Sequence, residues 1–451
     1  MNIDFETTID FSKESGAVKP MNAVNNGPAG SATRGVSGNF QAYKELEIPY
    51  ARIHDSAFCS AYGGEFTVDV HRIFRDFNAD ENDPASYHFR STDGYLGNMR
   101  KAGTEPFYRL GCNIEHGEKN GTFPPADFAK WARICEHIIR HYNEGWADGF
   151  TWNITYWEIW NEPDCRNADG SNPCWQGTDE QFFEFFAVSA KHLKACFPHL
   201  KIGGPAICSL WGNYAETFLR SQKERKTPID FVSYHWYGAH LHDFRDTIRR
   251  ANTLFAECGY PDAETILNEW NYIRGWLGEN WSYSLRTEKN RKGASFIAGA
   301  MCIGQREDLD MLMYYDARPC GMNGLFDTET LAPLPGYYAL YGFRELRRLG
   351  RYVPTEIDYD AGIYTCAAKS DNAAAVLISY YSDDDNAPAK LGRFELDNVF
   401  PGKTVKVELW ASDGTREPGL VHEEYFTADK FAVYLPVSLH GIYMLRISTD
   451  V

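Results

Sequence analysis

From Met21 to Gly350 short apolar runs of strand length alternate with longer segments whose apolar residues recur every three or four positions. The strand-like runs are MNAVNN, IPYARIH, EPFYRLG, ITYWEIWNEP, KIGGPAI, DFVSYHWYG, ETILNEWN and DMLMYYDAR. Between them lie segments such as DFAKWARICEHIIRHYNEG, EQFFEFFAVSAKHLKACF, LHDFRDTIRRANTLFAECG and ASFIAGAMCIGQR, which carry the apolar stripe of an amphipathic helix. Strict alternation of strand and helix implies parallel strands. Eight such units predict a closed (β/α)8 barrel over residues 21–350 rather than an open sheet.

After Gly350 the period changes. Runs such as AAAVLISYY, TVKVELWA, KFAVYLPV and GIYMLRI alternate apolar and polar residues and are separated by turn signals (SDDDN, FPGK, SDGT). Residues 351–451 are therefore predicted to form a β-sandwich. Residues 1–20, in which NIDFETTIDF alternates in the same way, are expected to contribute a strand to it. The fold class is thus α/β, a barrel with an additional C-terminal β-sandwich. The segment DDDNAP reads as a charged turn.

In a barrel of this kind the reacting groups stand at the C-terminal ends of the strands, and here each strand ends in something polar. The second ends at Arg52-Ile53-His54-Asp55, the third at Tyr108-Arg109, and the fourth at Asn161-Glu162. The sixth ends at His235-Trp236-Tyr237, the seventh at Asn268-Glu269-Trp270-Asn271, and the eighth at Tyr314-Tyr315-Asp316 with Arg318 beyond. Pro163 cannot continue a strand ladder, so the chain turns at Glu162 and exposes it. Between Trp157 and Trp160 that carboxylate is expected to be partly desolvated, which raises its pKa and suits a general acid. Taken alone, Asn-Glu-Pro equally fits a carboxylate that caps a turn. Glu269 decides between the two, because it sits at the matching position across the barrel mouth. Paired carboxylates are what glycoside hydrolysis needs: one acid for the leaving oxygen and one group acting from the opposite face.

Composition narrows the partners. Aromatic residues make up 15% of the chain, with 12 Trp, 27 Tyr and 28 Phe, and rings lining a groove suit the apolar faces of sugars. With 45 Lys and Arg against 62 Asp and Glu, the net charge of −17 repels polyphosphate, so neither nucleic acid nor an anionic membrane is an expected partner. No run reaches the ~18–20 apolar residues of a membrane span. The opening residues MNIDFETTIDF lack the charged head and apolar stretch of an export signal. The expectation is an exported protein, periplasmic or extracellular, whose signal is absent from this sequence, with a cytoplasmic location as the alternative. Most of the 11 cysteines sit singly in apolar segments. Cys165 and Cys174 instead bracket the polar loop RNADGSNP and are placed to close it as a disulfide in an oxidising compartment.

WEIWNEPD with ILNEWN resembles glycoside hydrolase family 39, the group of β-xylosidases and α-L-iduronidases, and the resemblance extends over the whole chain. It implies that Glu162 is the acid/base and Glu269 the nucleophile, with retention of configuration. It also implies that Asn161 bonds the sugar 2-hydroxyl, that Tyr237 bonds the nucleophile, and that His54 and His235 bind hydroxyls in the terminal subsite. Arg109, Trp270, Tyr315, Asp316 and Arg318 complete the expected substrate-binding set. At the eighth strand the acidic cluster common in the family's xylosidases is replaced by Tyr315-Asp316-Ala317-Arg318. Arg318 there suits either a uronate carboxylate or an ion pair with Asp316. Trp276 and Trp281 follow the nucleophile and are candidates for stacking on sugar.

No other constellation competes. His137 and His141 lack the glutamate of a zinc-protease helix, and His235, His240 and His242 are split between a strand end and a helix start, so no metal is assigned. No glycine-rich phosphate loop follows a strand and no Gly-x-Ser-x-Gly elbow occurs, so no cofactor is expected. The predicted function is that of an exo-acting retaining glycosidase on an oligosaccharide or polysaccharide substrate. An endo-acting or iduronidase-like enzyme and an inactive carbohydrate-binding barrel are the alternatives.

Overall fold

A computed structural model describes residues 3–30, 38–54, 67–112, 121–412 and 419–449. Strand β1 (Phe5–Asp10) is followed by eight strands that close a barrel in chain order: β2 (Ala23–Asn25), β3 (Tyr50–Arg52), β4 (Glu105–Leu110), β5 (Tyr156–Ile159), β6 (Lys201–Ile207), β7 (Phe231–Gly238), β8 (Glu264–Tyr272) and β9 (Met311–Tyr314). Every neighbouring pair within it is parallel, and β9 closes on β2. The predicted (β/α)8 barrel is thus present, built from the eight runs expected. Asp55 lies outside the described residues.

The barrel interior is layered by the two-residue period of its strands. At the N-terminal end Ala23, Phe107, Phe231, Ile266, Met311 and Met313 form a buried apolar plug, with Tyr50 and Tyr156 packed against it. Two residues further along the same strands come Asn25, Arg52, Arg109, Glu158, Ser233 and Asn268, all fully or almost fully buried. A polar layer therefore rests on an apolar floor. The outward-facing alternates, Tyr108, Trp157 and Ile159 among them, join the large core shared with the helices.

Eight further strands follow: β10 (Arg351–Val353), β11 (Ile363–Lys369), β12 (Ala373–Tyr380), β13 (Lys390–Asp397), β14 (Val405–Ser412), β15 (Gly419–Phe426), β16 (Lys430–Val437) and β17 (Ile442–Ser448). Six form one sheet in the order β10-β11-β12-β17-β14-β15, and β1-β13-β16 forms another. Between the sheets Phe5, Ile9, Val376, Phe394, Leu435 and Leu445 are in a common core. β1 runs parallel to β13, Phe5 facing Gly392, so the start of the chain is stitched into this second unit. The helices Arg291–Arg306 and Pro335–Leu349 lie between barrel and sandwich, against β11 and β12. No helix among the described residues is long and apolar enough to cross a membrane.

The DDDN turn after β12 makes specific contacts with the barrel. Asp383 accepts hydrogen bonds from Tyr272 Oη at 2.7 Å and Arg274 Nη2 at 3.0 Å, and pairs with Lys292 Nζ at 2.9 Å. Asp385 receives Tyr283 Oη and the same lysine. The charged turn thereby ties the sandwich to the end of β8, the strand that carries Glu269.

Candidate active site

Glu162 is delivered by an abrupt bend. Trp160 and Glu162 both adopt left-handed backbone, with φ of 76° and 45°, a conformation that costs a non-glycine residue roughly 1–2 kcal/mol. The cost is offset by hydrogen bonds from Trp160 N to Leu110 O at 2.7 Å and from Glu162 N to Ala206 O at 3.0 Å. Gly111, at φ 139°, makes room for the bend, since a Cβ there would meet Trp160 at 3.0 Å. The indoles do not wall the carboxylate as expected. Trp157 stacks on Tyr108, and Trp160 packs against Trp175 and Phe185 and donates to Cys174 O. Both rings pack into the core outside the barrel, and Glu162 instead contacts His235 and the Cys174 thiol.

Glu269 is delivered by a bulge. Along β7 and β8 the register runs Tyr234 to Leu267 and then His235 to Glu269, so Asn268 is an extra residue. Strict alternation would send Asn268 and Glu269 to opposite faces; the bulge lets both side chains enter the barrel. Asn268 Nδ2 donates to Glu158 Oε1 at 2.5 Å, and Glu269 accepts from an arginine and a tyrosine. Arg52 Nη1 reaches Glu269 Oε1 at 2.7 Å, and Tyr237 Oη reaches Oε2 at 2.8 Å.

Arg52 is the hub of this layer. Fully buried, it also donates from Nε to Glu158 Oε2 at 2.6 Å, from Nη2 to Asn161 Oδ1 at 2.6 Å, and from Nη1 to Asn25 Oδ1 at 3.3 Å. Burial opposes its charge, but Glu158 and Glu269 outweigh that and hold the guanidinium above its ordinary range. Ser233 Oγ donates to Glu158 Oε1 at 2.6 Å, completing that carboxylate's partners. The Arg52 bond fixes the Asn161 amide with its oxygen toward the guanidinium, which leaves Nδ2 as its donor. Arg52, Glu158, Asn25, Ser233 and Asn268 were not assigned to the site from sequence. The signal was there: an arginine and a glutamate each occupy an inward position of an apolar strand, and isolated buried charges need partners.

The remaining expected site residues divide. His54 Nε2 stands 3.8 Å from Glu269 Oε1. His235 Nδ1 lies 2.7 Å from Glu162 Oε1 and 3.5 Å from Glu269 Oε2, with its side chain wholly buried. It therefore lines the two carboxylates rather than a sugar subsite. Burial is the main reason its imidazole is pushed down to about 4, so it is neutral near pH 7. Tyr315 packs edge-on to Tyr237, and its carbonyl accepts from Asn271 Nδ2.

Three of the expected substrate contacts go elsewhere. Arg109 is fully buried and donates from Nη2 to Asp69 Oδ1 at 2.6 Å and to the backbone oxygen of His54 at 2.9 Å, so it supports His54 from behind. Trp270 is outward and buried among Phe244, Phe296 and Tyr314, a core residue. Arg318 turns back on Asp316, its backbone N 2.5 Å from Oδ1 and its Nη2 3.2 Å from Oδ2, which realises the ion-pair reading of that loop. Trp276, by contrast, is exposed and lies edge-on to Tyr237 with ring centroids 5.1 Å apart. Cys165 and Cys174 are separate thiols in hydrogen-bonding contact; the expected bridge is not formed.

Ligand atoms of Glu162, His235 and Glu269 all lie within 4.8 Å of one another. The site is thus a pair of carboxylates in close apposition, one gripped by a buried arginine and a tyrosine, the other resting on a neutral imidazole.

Known proteins share this arrangement of elements. Residues 39–252 match the family described as Glycosyl hydrolases family 39. The chain is 30% identical over 177 residues to a β-xylosidase of Geobacillus stearothermophilus, which is 37% of this chain and 33% of that protein. It is 30% identical over 128 residues to an α-L-iduronidase of Homo sapiens, 27% of this chain and 18% of the relative. The chain thus spans a third or less of the length of these curated relatives. Its fold is similar to that of a glucosidase from Croceicoccus marinus, with a TM-score of 0.79 at 20% identity over 99% of each chain. It is also similar to that of the GH39 enzyme from Xanthomonas axonopodis pv. citri, with a TM-score of 0.69 at 16% identity over 99% of this chain and 98% of the other. The matched segment holds the strand end that carries Glu162 and the histidine beside it, so this part of the chain is similar to glycosyl hydrolases family 39.

Proposed function

We propose that the protein is a retaining, exo-acting glycosidase in which Glu269 is the nucleophile and Glu162 the acid/base. The observation that carries the reading is that a carboxylate oxygen of Glu162 and one of Glu269 lie within 4.8 Å of each other. Double displacement places such groups about 5–5.5 Å apart, whereas a water held between them for inversion needs roughly 6.5–9.5 Å. In the first step Glu269 attacks the anomeric carbon while Glu162 gives its proton to the departing oxygen. In the second, Glu162 takes a proton from water, which displaces Glu269 and releases the sugar with its configuration retained.

The surrounding bonds suit these roles. Arg52 and Tyr237 bind different oxygens of Glu269 and stabilise its charged form, as a nucleophile and a leaving carboxylate both require. Asn161, oriented by Arg52, offers Nδ2 to the hydroxyl next to the reacting carbon. For the sugar, a terminal β-xyloside or α-L-arabinoside of plant or host polysaccharide is favoured. The β-xylosidase relative supports it, and Arg318, committed to Asp316, offers little to a uronate carboxylate. A polymeric substrate in turn favours an exported enzyme.

The test is a panel of aryl β-xyloside, α-L-arabinoside, β-glucoside, β-galactoside and α-L-iduronide, with the anomer of the first product read by NMR. Retention on a pentoside is expected. An inverted product would overturn the mechanism, release of internal oligosaccharides from a polymer would replace exo by endo action, and binding without turnover would mark an inactive barrel.

A further inference from the structure

Three thiols converge on the turn that carries Glu162. Cys165 follows three residues later, Cys174 ends the same polar loop, and Cys208 directly follows β6. A carboxylate oxygen of Glu162 and the sulfurs of Cys165 and Cys174 all lie within 4.8 Å of one another, with Cys174 Sγ 3.9 Å from Glu162 Oε2. The Cys208 thiol hydrogen-bonds Cys165 from the adjoining strand end. The glycosidic mechanism uses none of these sulfurs.

The backbone around them is already fixed. Cys165 N donates to Glu162 O at 3.1 Å, Cys174 N to Asn172 Oδ1 at 2.9 Å, and Cys208 N to Asp164 Oδ1 at 2.8 Å. In a tetrahedral zinc site, with bonds of about 2.3 Å to sulfur and about 2.0–2.2 Å to oxygen, neighbouring ligands stand roughly 3.5–3.8 Å apart. The cluster therefore needs closure of only about an ångström, within the reach of side-chain torsions. The Cys174 and Cys208 thiols both stand in hydrogen-bonding contact with the Cys165 sulfur. Two other groups of compatible residues, Asp69-His71-Cys112 and Glu136-His192-Cys196, offer one sulfur each. Among the described residues this cluster is the one that joins two sulfurs to a carboxylate at the barrel mouth.

We propose that Glu162, Cys165 and Cys174 form a binding site for a thiolate-seeking divalent cation of the zinc class, with Cys208 bonded to the Cys165 sulfur behind it and a fourth position left to water. Binding releases thiol protons to solvent and engages the carboxylate of Glu162. Metal occupancy and glycoside turnover then exclude each other, a consequence that rests on the acid/base role of Glu162, whereas the binding itself does not.

The experiment titrates the reduced full chain with Co2+ as an optical probe, with Zn2+ as competitor. A near-ultraviolet thiolate-to-Co2+ band that Zn2+ abolishes is expected. Cys174→Ser should weaken binding by at least the ~10–100-fold that loss of an outer partner alone costs, Cys208→Ser should fall within that range, and Cys196→Ser should leave the band intact. As a readout independent of any variant's folding, the wild-type protein is also alkylated with and without Zn2+ and mapped by mass spectrometry, where Zn2+ should protect Cys165 and Cys174 together. Absence of the band, or protection of neither cysteine, overturns the site. A full band with undiminished hydrolysis in saturating Zn2+ removes Glu162 from it. A full band in a chain inactive on every glycoside leaves the site standing and overturns the functional reading instead.

Discussion

His235 Nδ1 lies 2.7 Å from Oε1 of Glu162. Because burial first of all pushes this imidazole to about 4, the ring is neutral from pH 5 upward, and a single proton is shared across the contact. His235 is thus placed to act through Glu162, which it approaches more closely than Glu269 at 3.5 Å. His235→Ala is expected to lower kcat/KM about 100-fold, the low end for a group that assists proton transfer. The loss should be larger for aryl glycosides with poor leaving groups, and His235→Asn should recover part of it. Kinetics on two leaving groups across pH 5–8 test this; equal losses for both would reduce the histidine to a packing role.

Tyr237 Oη donates to Glu269 Oε2 at 2.8 Å, a hydrogen bond to a charged acceptor, for which about 1.5–3 kcal/mol is typical. Tyr237→Phe keeps the ring against Trp276 and Tyr315 and removes only that bond. A fall of roughly 10–100-fold in kcat follows if the bond acts on the nucleophile in the transition state, with KM nearly unchanged. Steady-state kinetics with thermal melts as control read it, and a change confined to KM would count against the assignment.

The barrel could be read because eight apolar strand runs alternate with amphipathic helices, and along several of those strands an inward residue of the apolar floor is followed two positions on by a polar one: Tyr50 and Arg52, Tyr156 and Glu158, Phe231 and Ser233, Ile266 and Asn268. The two catalytic candidates are legible for a different reason. Each stands at a strand end beside a turn-forming or polar residue, where a barrel keeps its chemistry. What could not be read is where local rules break. Trp270 looks like a mouth residue until the bulge at Asn268 shifts the alternation and sends it outward. Arg109 shares a face with Phe107 and reads in the sequence as a sugar contact, but Asp69, distant in sequence, takes its guanidinium. Partners that meet only through the closed barrel leave no short-range trace, and the hub role of Arg52 was hidden for that reason.

Arg52 joins Glu158, at 2.6 Å, to Glu269, at 2.7 Å, with the arginine and Glu158 fully buried. Taking one charge from such a set leaves the other uncompensated, so Arg52→Met should destabilise the fold by about 3–5 kcal/mol. Arg52→Met with Glu158→Gln removes opposite charges together and should recover a substantial part of that loss while leaving activity abolished. Urea unfolding of the single and double variants measures this. A single variant within ~1 kcal/mol of wild type would show that the network is spent on orientation rather than stability.

Asp164 is held behind the Glu162 turn, accepting from Cys208 N at 2.8 Å and Ser209 N at 3.2 Å, and burial raises its carboxyl from 3.8 to about 7. The folded chain therefore binds this proton more tightly than the unfolded one. Between those two pH values the unfolded state carries fewer protons, so stability falls as pH rises, by up to about 1.4 kcal/mol per pH unit, and levels off above pH 7. Asp164→Asn keeps the shape and one acceptor but cannot ionise. Its stability relative to wild type should climb steadily from pH 4 to 7 and then hold constant, whatever fixed offset the altered hydrogen bonding introduces. Urea midpoints at half-unit pH steps give the difference curve directly. A flat curve would mean that Asp164 is ionised throughout, and that the amides of Cys208 and Ser209 outweigh its burial.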